Sequence, residues 1–186
     1  MKDAEIASFV RGECEEIESP AVGRSYRCAA YLTDGLYLPC VLVASKNHWV
    51  QLALRRFDET RAYGSGLFRR RRFGRGFDYA SVVETFVAAG NRINAYDIQR
   101  LEPSPFALPL RCLREIRGET SMSWTQFVAE MSDSQQFNFG TTFHTEFFSM
   151  PPGYFAKDVH RIHAHQREPG ELYRERPFFS CFIQEL

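Results

Sequence analysis

WTQFVAEMSDSQQFNFGTTFHTEF, residues 124–147, alternates in side-chain character almost without interruption. Trp124, Gln126, Val128 and Glu130 interleave with Thr125, Phe127, Ala129 and Met131, and Ser132-Asp133-Ser134-Gln135 supplies a turn. Phe137, Phe139, Thr141, Phe143, Thr145 and Phe147 then fall on one face of a returning strand. Asn138, Gly140, Thr142, His144 and Glu146 fall on the other, where a water-facing position is expected. A period of two held over about a dozen positions marks a half-buried antiparallel strand, so this half of the chain reads as a long hairpin.

Upstream, the same pattern recurs. Tyr26, Cys28, Ala30 and Leu32 share a face; Thr33-Asp34-Gly35 follows; Leu36, Leu38, Cys40 and Leu42 share the next. A three-residue loop ending in glycine is a hairpin connection. Pro39 cannot donate a ladder hydrogen bond, so its strand is expected to be an edge or bulged there. Residues 48–57 suit a third strand or a helix. Ile6, Phe9 and Val10 mark a short N-terminal helix that Gly12 could end. The strongest helical pattern is residues 78–89. Asp78 can cap it, Tyr79, Val82, Val83, Phe86 and Val87 form one apolar stripe, and Gly90 can close it. Glu102-Pro103-Ser104-Pro105 divides an N-terminal half, 1–102, from a C-terminal half, 103–186, within one compact domain. Residues 108–117 read ambiguously, residues 155–165 as a short helical or irregular piece, and Phe178–Ile183 as a final strand. The fold class predicted is α+β: antiparallel hairpins forming one or two sheets, with the helix at about 78–89 packed on a face.

The 186 residues carry 23 basic and 23 acidic side chains, and 44% of them are hydrophobic. That composition excludes pervasive disorder and a uniformly basic nucleic-acid coat. Five cysteines without a C-x-x-C pair fit neither a disulfide framework nor a zinc knuckle. Cys28, Cys40 and Cys181 sit in apolar runs and read as inert buried thiols. MKDAEIASFVRGE lacks the apolar core of a signal peptide, and no run approaches the length of a membrane span, so a reduced, cytoplasmic setting is expected.

Charge is lopsided although it sums to zero. Residues 1–20 hold six carboxylates against Lys2 and Arg11. Residues 55–77 hold Arg55, Arg56, Arg61, Arg69, Arg70, Arg71, Arg72 and Arg75 against Asp58 and Glu59, with Tyr63, Phe68, Phe73 and Phe77 interleaved. Guanidinium groups neutralise phosphates and aromatic rings stack on unpaired bases, the combination used by single-strand binders. The glycines of GRGFD, at 74–78, could also let a phosphate approach the helix beginning at Asp78, beside Arg72 and Arg75. The leading expectation is therefore a non-catalytic binding protein that contacts a polyanion, nucleic acid first, through Arg55, Arg56, Phe68, Arg69, Arg70, Arg71, Arg72, Phe73, Arg75 and Phe77. The bland reading is a solvated loop paired with the acidic first twenty residues. An interaction module (inhibitor, immunity protein or adaptor) docking an acidic protein, or presenting the sheet edge near Pro39, is the alternative.

Catalytic signals are sparse. His160, His163 and His165 spell H-x-x-H-x-H, and His144 with Glu146 lie two apart. Together they could ligate a metal in a metal-assisted hydrolase, although on a helix or a strand only two of the three clustered histidines share a face. His144 with Glu146 could equally be a general base and its orienting carboxylate, with Thr142 or Asn138 contacting a substrate. No G-x-S-x-G elbow, Walker loop or G-x-G-x-x-G is present, and no cofactor is implied.

Overall fold

The computed structural model describes residues 1–19, 22–46, 91–116, 124–142, 144–164 and 170–186. The expected strand at 48–57, the arginine-rich segment 55–77 and the helix at 78–89 lie outside the described residues.

Strand β2 (Gly23–Leu32) turns through Thr33-Asp34-Gly35 into β3 (Tyr37–Ser45). Leu32 and Leu36 close the loop by a backbone hydrogen bond of 2.8 Å, and Gly35 takes φ +90°, a conformation that a side chain would strain. The register slips between Cys28, opposite Val41, and Ala30, opposite Leu38. In this bulge Pro39 and Cys40 face the single residue Ala29, which corrects the expected face. Leu38, Val41 and Val43 pack together, whereas Cys40, Leu42 and Ala44 point to the other side of the sheet. Pro39 is tolerated because the neighbouring strand on that flank joins β3 only from Val41 onward.

That neighbour is β10 (Phe179–Ile183), which runs parallel to β3 and to β4 (Arg92–Ile93). The chain's last strand thus returns to the first sheet. The far flank of β2 is shared by β1 (Glu16–Ser19) and β5 (Ile98–Pro103), completing six strands. Helix α1 (Asp3–Glu13) lays Ile6, Ala7 and Val10 on the face formed by Tyr26, Cys28, Ala30, Val41 and Val43. It runs one residue past Gly12.

The second sheet has the order β8-β6-β7-β9, from β6 (Thr125–Met131), β7 (Gln136–Thr141), β8 (Val159–Ala164) and β9 (Leu172–Arg174). Residues 159–164 are a strand, not the helical or irregular piece expected; β8 pairs with β6 through a bulge at His160. Helix α2 (Leu110–Leu113) resolves the ambiguous stretch. Leu108 and Cys112 enter the core of the second sheet, while Phe106, Leu110 and Leu113 pack on the first. Phe127 and Phe139 stack at 5.4 Å, and Phe148 meets both edge-on. The architecture is α+β, two mixed sheets of six and four strands with helices packed on them. Among the described residues no helix is long and apolar enough to cross a membrane.

The long returning strand is shorter than the sequence pattern suggests. It ends at Thr141, whose hydroxyl donates to the His144 carbonyl (2.5 Å) and accepts from the His144 amide (3.1 Å). This hydroxyl-built turn outcompetes the ladder. Beyond it, Phe148 N–H donates to Phe106 and the Phe147 carbonyl accepts from Arg176, so the backbone is paired elsewhere. Phe147 and Phe148 consequently enter two different cores.

A methyl group built on Gly140 would stand 2.4 Å from the Trp124 ring, which also lies under the Arg174 guanidinium at 4.4 Å. Gly140→Ala is expected to displace the indole and destabilise the protein by about 1–3 kcal/mol, the cost of overpacking. Thermal unfolding followed by circular dichroism measures the loss, and an unchanged midpoint would show that the ring moves freely.

Candidate functional site

The described residues on either side of 47–90 belong to two strands that pair with β10. β3 ends at Ser45 opposite Ile183 of β10, and β4 begins at Arg92 opposite Ser180. These two strands therefore flank β10, two strand spacings apart, or about 10 Å. A cleft of about 460 Å3 opens there, lined by residues that include Lys2, Asp3, Lys46, Arg92, Asn94, Tyr96 and Phe182. Its side chains carry three cations against one carboxylate. The Arg92 guanidinium lies 5.0 Å above the Phe182 ring, and its partial burial holds its pKa below the usual arginine value. The Asp3 carboxylate accepts from the Gln184 amide at 2.8 Å.

The acidic first twenty residues are largely committed within the described structure. Glu5 accepts from the Lys2 amide (2.7 Å), and Glu16 pairs with Arg24 (2.6 Å) and accepts from the Tyr26 hydroxyl (2.9 Å). Glu15 accepts from the Leu110 amide at the start of α2 (2.6 Å) and from Arg27 (3.4 Å). The Arg24 and Tyr26 bonds hold the Glu16 carboxyl below the usual range.

Glu146 is the largest departure from expectation. Predicted on a water-facing strand, it is fully buried, because the turn at Thr141 swings it against the first sheet. Ser19 donates to its Oε1 at 2.6 Å, and His144 Nδ1 stands 3.6 Å from Oε2. Ser19 and Arg27 reach it from the face of β1 and β2 that carries Ile17. Arg27 is 3% exposed; its guanidinium donates to the Glu146 carbonyl (3.4 Å) and to Glu15. Burial pulls the Arg27 pKa down to about 10, opposed by the charges of Glu15, Cys14 and Glu146. Sequence reasoning passed over Ser19 and Arg27, although Arg27 is the one charge in the run SYRCAAYL, residues 25–32.

His144, half exposed, has the placement of a base backed by a carboxylate. Of the two side chains expected to contact a substrate, Thr142 and Asn138, Thr142 donates instead to Glu175 at 3.1 Å. His163 bonds Glu130 at 2.6 Å across β6 and β8, His160 is exposed at the bulge, and His165 lies outside the described residues. Among the described residues no three histidine, cysteine or acidic side chains are grouped to hold a metal ion. The His163 hydrogen bond lowers the Glu130 pKa. In His163→Ala, Glu130 is expected to titrate at higher pH than in the wild type, toward the ordinary glutamate value, as read by carboxyl chemical shifts. Because the folded-state pKa is depressed, the contact stabilises above the ordinary glutamate pKa and fades as pH falls through the lowered value. An identical titration in both proteins would remove the contact.

Burial pushes the thiols of Cys40 and Cys181 up to about 11 and about 12, which makes both poor nucleophiles at neutral pH. Three features thus stand out among the described residues: a cationic cleft lined from α1, β3 and β4, a closed polar cluster around Glu146, and a surface His163–Glu130 pair. Compared with known proteins, the chain matches no family model, no curated protein and no solved structure.

Proposed function

We propose that this is a non-catalytic binding protein that grips a polyanion, single-stranded nucleic acid first, through the arginine and aromatic residues of segment 55–77. The observation that carries the reading is the cleft. Lys46 stands nine residues before Arg55 and Arg92 fifteen residues after Phe77, and both line a cationic recess together with Lys2. The recess thus adds cations of the described fold to the net +6 of residues 55–77. A second support is the commitment of Asp3, Glu5, Glu15 and Glu16 to described partners, which weakens the bland reading of an acidic N-terminus reserved for the arginines. A focused patch on a neutral chain gives local binding without general stickiness.

The test compares the wild type with a variant in which Arg69, Arg70, Arg71 and Arg72 are all alanine. Binding of a fluorescent single-stranded oligonucleotide is measured at several salt concentrations, with the melting temperature as the control for folding. Weaker and less salt-dependent binding by the variant supports the reading, whereas equal binding removes it. An acidic protein partner would show instead as a stoichiometric co-purifying chain without nucleic-acid absorbance, released by high salt.

A further inference from the structure

The cleft has a shape and chemistry more specific than a positive surface. Its cations come from three separate places: Lys2 before α1, Lys46 after β3, and Arg92 in β4. Cations held by three elements converge on a recess rather than spreading along one face. Arg92 is oriented by its stacking over Phe182. At the rim, the short 3-10 turn Ala95–Asp97 presents Tyr96, 73% exposed, with Asn94 donating to Asp97 (3.1 Å) to fix the turn. A large exposed aromatic beside a cluster of cations offers a ring to stack on and charges to neutralise. The volume of about 460 Å3 sits in the lower part of the range for small-ligand clefts, about 300–1,000 Å3, which is room for one nucleotide.

We infer that this cleft is a mononucleotide subsite: the exposed Lys2 and Lys46 receive the phosphate, Arg92 adds positive charge to the recess, and the base stacks on Tyr96. Resting on the proposed function, it takes one nucleotide of the same strand that segment 55–77 holds. An unpaired base is required, because a base inside a duplex presents no free face to Tyr96. The subsite adds a preference for nucleotides over other polyanions that arginines alone would not give.

The experiment uses the full chain in 15N–1H spectra at low salt, titrated separately with adenosine monophosphate, adenosine and inorganic phosphate. Adenosine monophosphate is expected to shift the amides of Asp3 and of residues 92–96, binding about tenfold tighter than phosphate or adenosine. Tyr96→Ala, a change at an exposed position, is expected to weaken it about tenfold, the scale of one stacked base. Lys46→Glu, also exposed, is expected to weaken phosphate and nucleotide alike. Absence of shifts at these amides overturns the inference. So does phosphate matching the nucleotide in affinity, because the site is then for an ion alone. A twelve-nucleotide oligoadenylate arm separates the sources. Competition at the same amides, with tighter binding, supports the strand; a nucleotide that the oligomer cannot displace overturns that assignment. The two proposals fail distinguishably. If the four-arginine variant loses oligomer binding but adenosine monophosphate never shifts the cleft, only the subsite falls. If that variant binds the oligomer like wild type, the reading of segment 55–77 falls.

Discussion

Glu146→Ala is expected to destabilise the protein by about 3 kcal/mol, a large share of the roughly 5–15 kcal/mol that holds a typical domain together. The carboxylate is fully buried and accepts from Ser19 at 2.6 Å. Its charge also helps offset the burial cost of the Arg27 guanidinium, which is already depressed to about 10. Alanine leaves the buried Ser19 hydroxyl without its acceptor, which costs about 1–3 kcal/mol, and opens a cavity besides. Arg27 keeps both its bond to the residue-146 backbone carbonyl and its ion pair with Glu15 at 3.4 Å, so only a weaker through-space attraction is lost there. Urea unfolding measures the loss. Glu146→Gln keeps the shape and an acceptor for Ser19, so it should lose less. Arg27→Met with Glu146→Leu should cost less than the two single changes added together, because no buried charge is then stranded. If Glu146→Ala stays within about 0.5 kcal/mol of wild type, the range of an ordinary surface change, the cluster does not tie β1, β2 and the segment after β7 together.

That cluster also shows where sequence reading stops. The hairpin at residues 26–42, α1, the turn at 132–135 and β10 are legible because each depends on near neighbours: side-chain period, a glycine with positive φ, a polar turn. Glu146 is not legible. Its partners Ser19 and Arg27 lie 127 and 119 positions away, and a polar residue in an alternating run looks the same whether it faces water or a buried hydroxyl. One hydroxyl, that of Thr141, ends β7 and decides which it is. Strand β8 escapes for a different reason. The bulge at His160 breaks the period of VHRIHA, so Val159 and Ile162 are both buried three positions apart, which imitates a helix. The face switch at Pro39 was half legible, since proline announces a bulge but not which residues cross to the other side. The cleft could not be read at all, because Lys2, Lys46, Arg92, Tyr96 and Phe182 meet only once β10 has inserted between β3 and β4.

Replacing Arg69, Arg70, Arg71 and Arg72 by alanine separates charge from stacking in the proposed interface. Each phosphate neutralised on a single strand contributes about 0.7 to the slope of log affinity against log salt. If all four arginines contact phosphates, the variant's slope is shallower by about 3. The advantage of the wild type should then shrink roughly fifty-fold between 50 and 200 mM salt, since a fourfold salt change is raised to that power. Phe68→Ala, Phe73→Ala and Phe77→Ala act on the other component. Loss of one stacked base weakens binding by about 1–3 kcal/mol and leaves the slope unchanged, because no counterion is involved. A solvated, idle loop predicts neither effect. An acidic protein partner predicts the arginine effect with that partner and none with an oligonucleotide. Salt slope and intercept, measured on the two sets of variants, therefore assign segment 55–77 to nucleic acid only if the arginines move the first and the phenylalanines move the second.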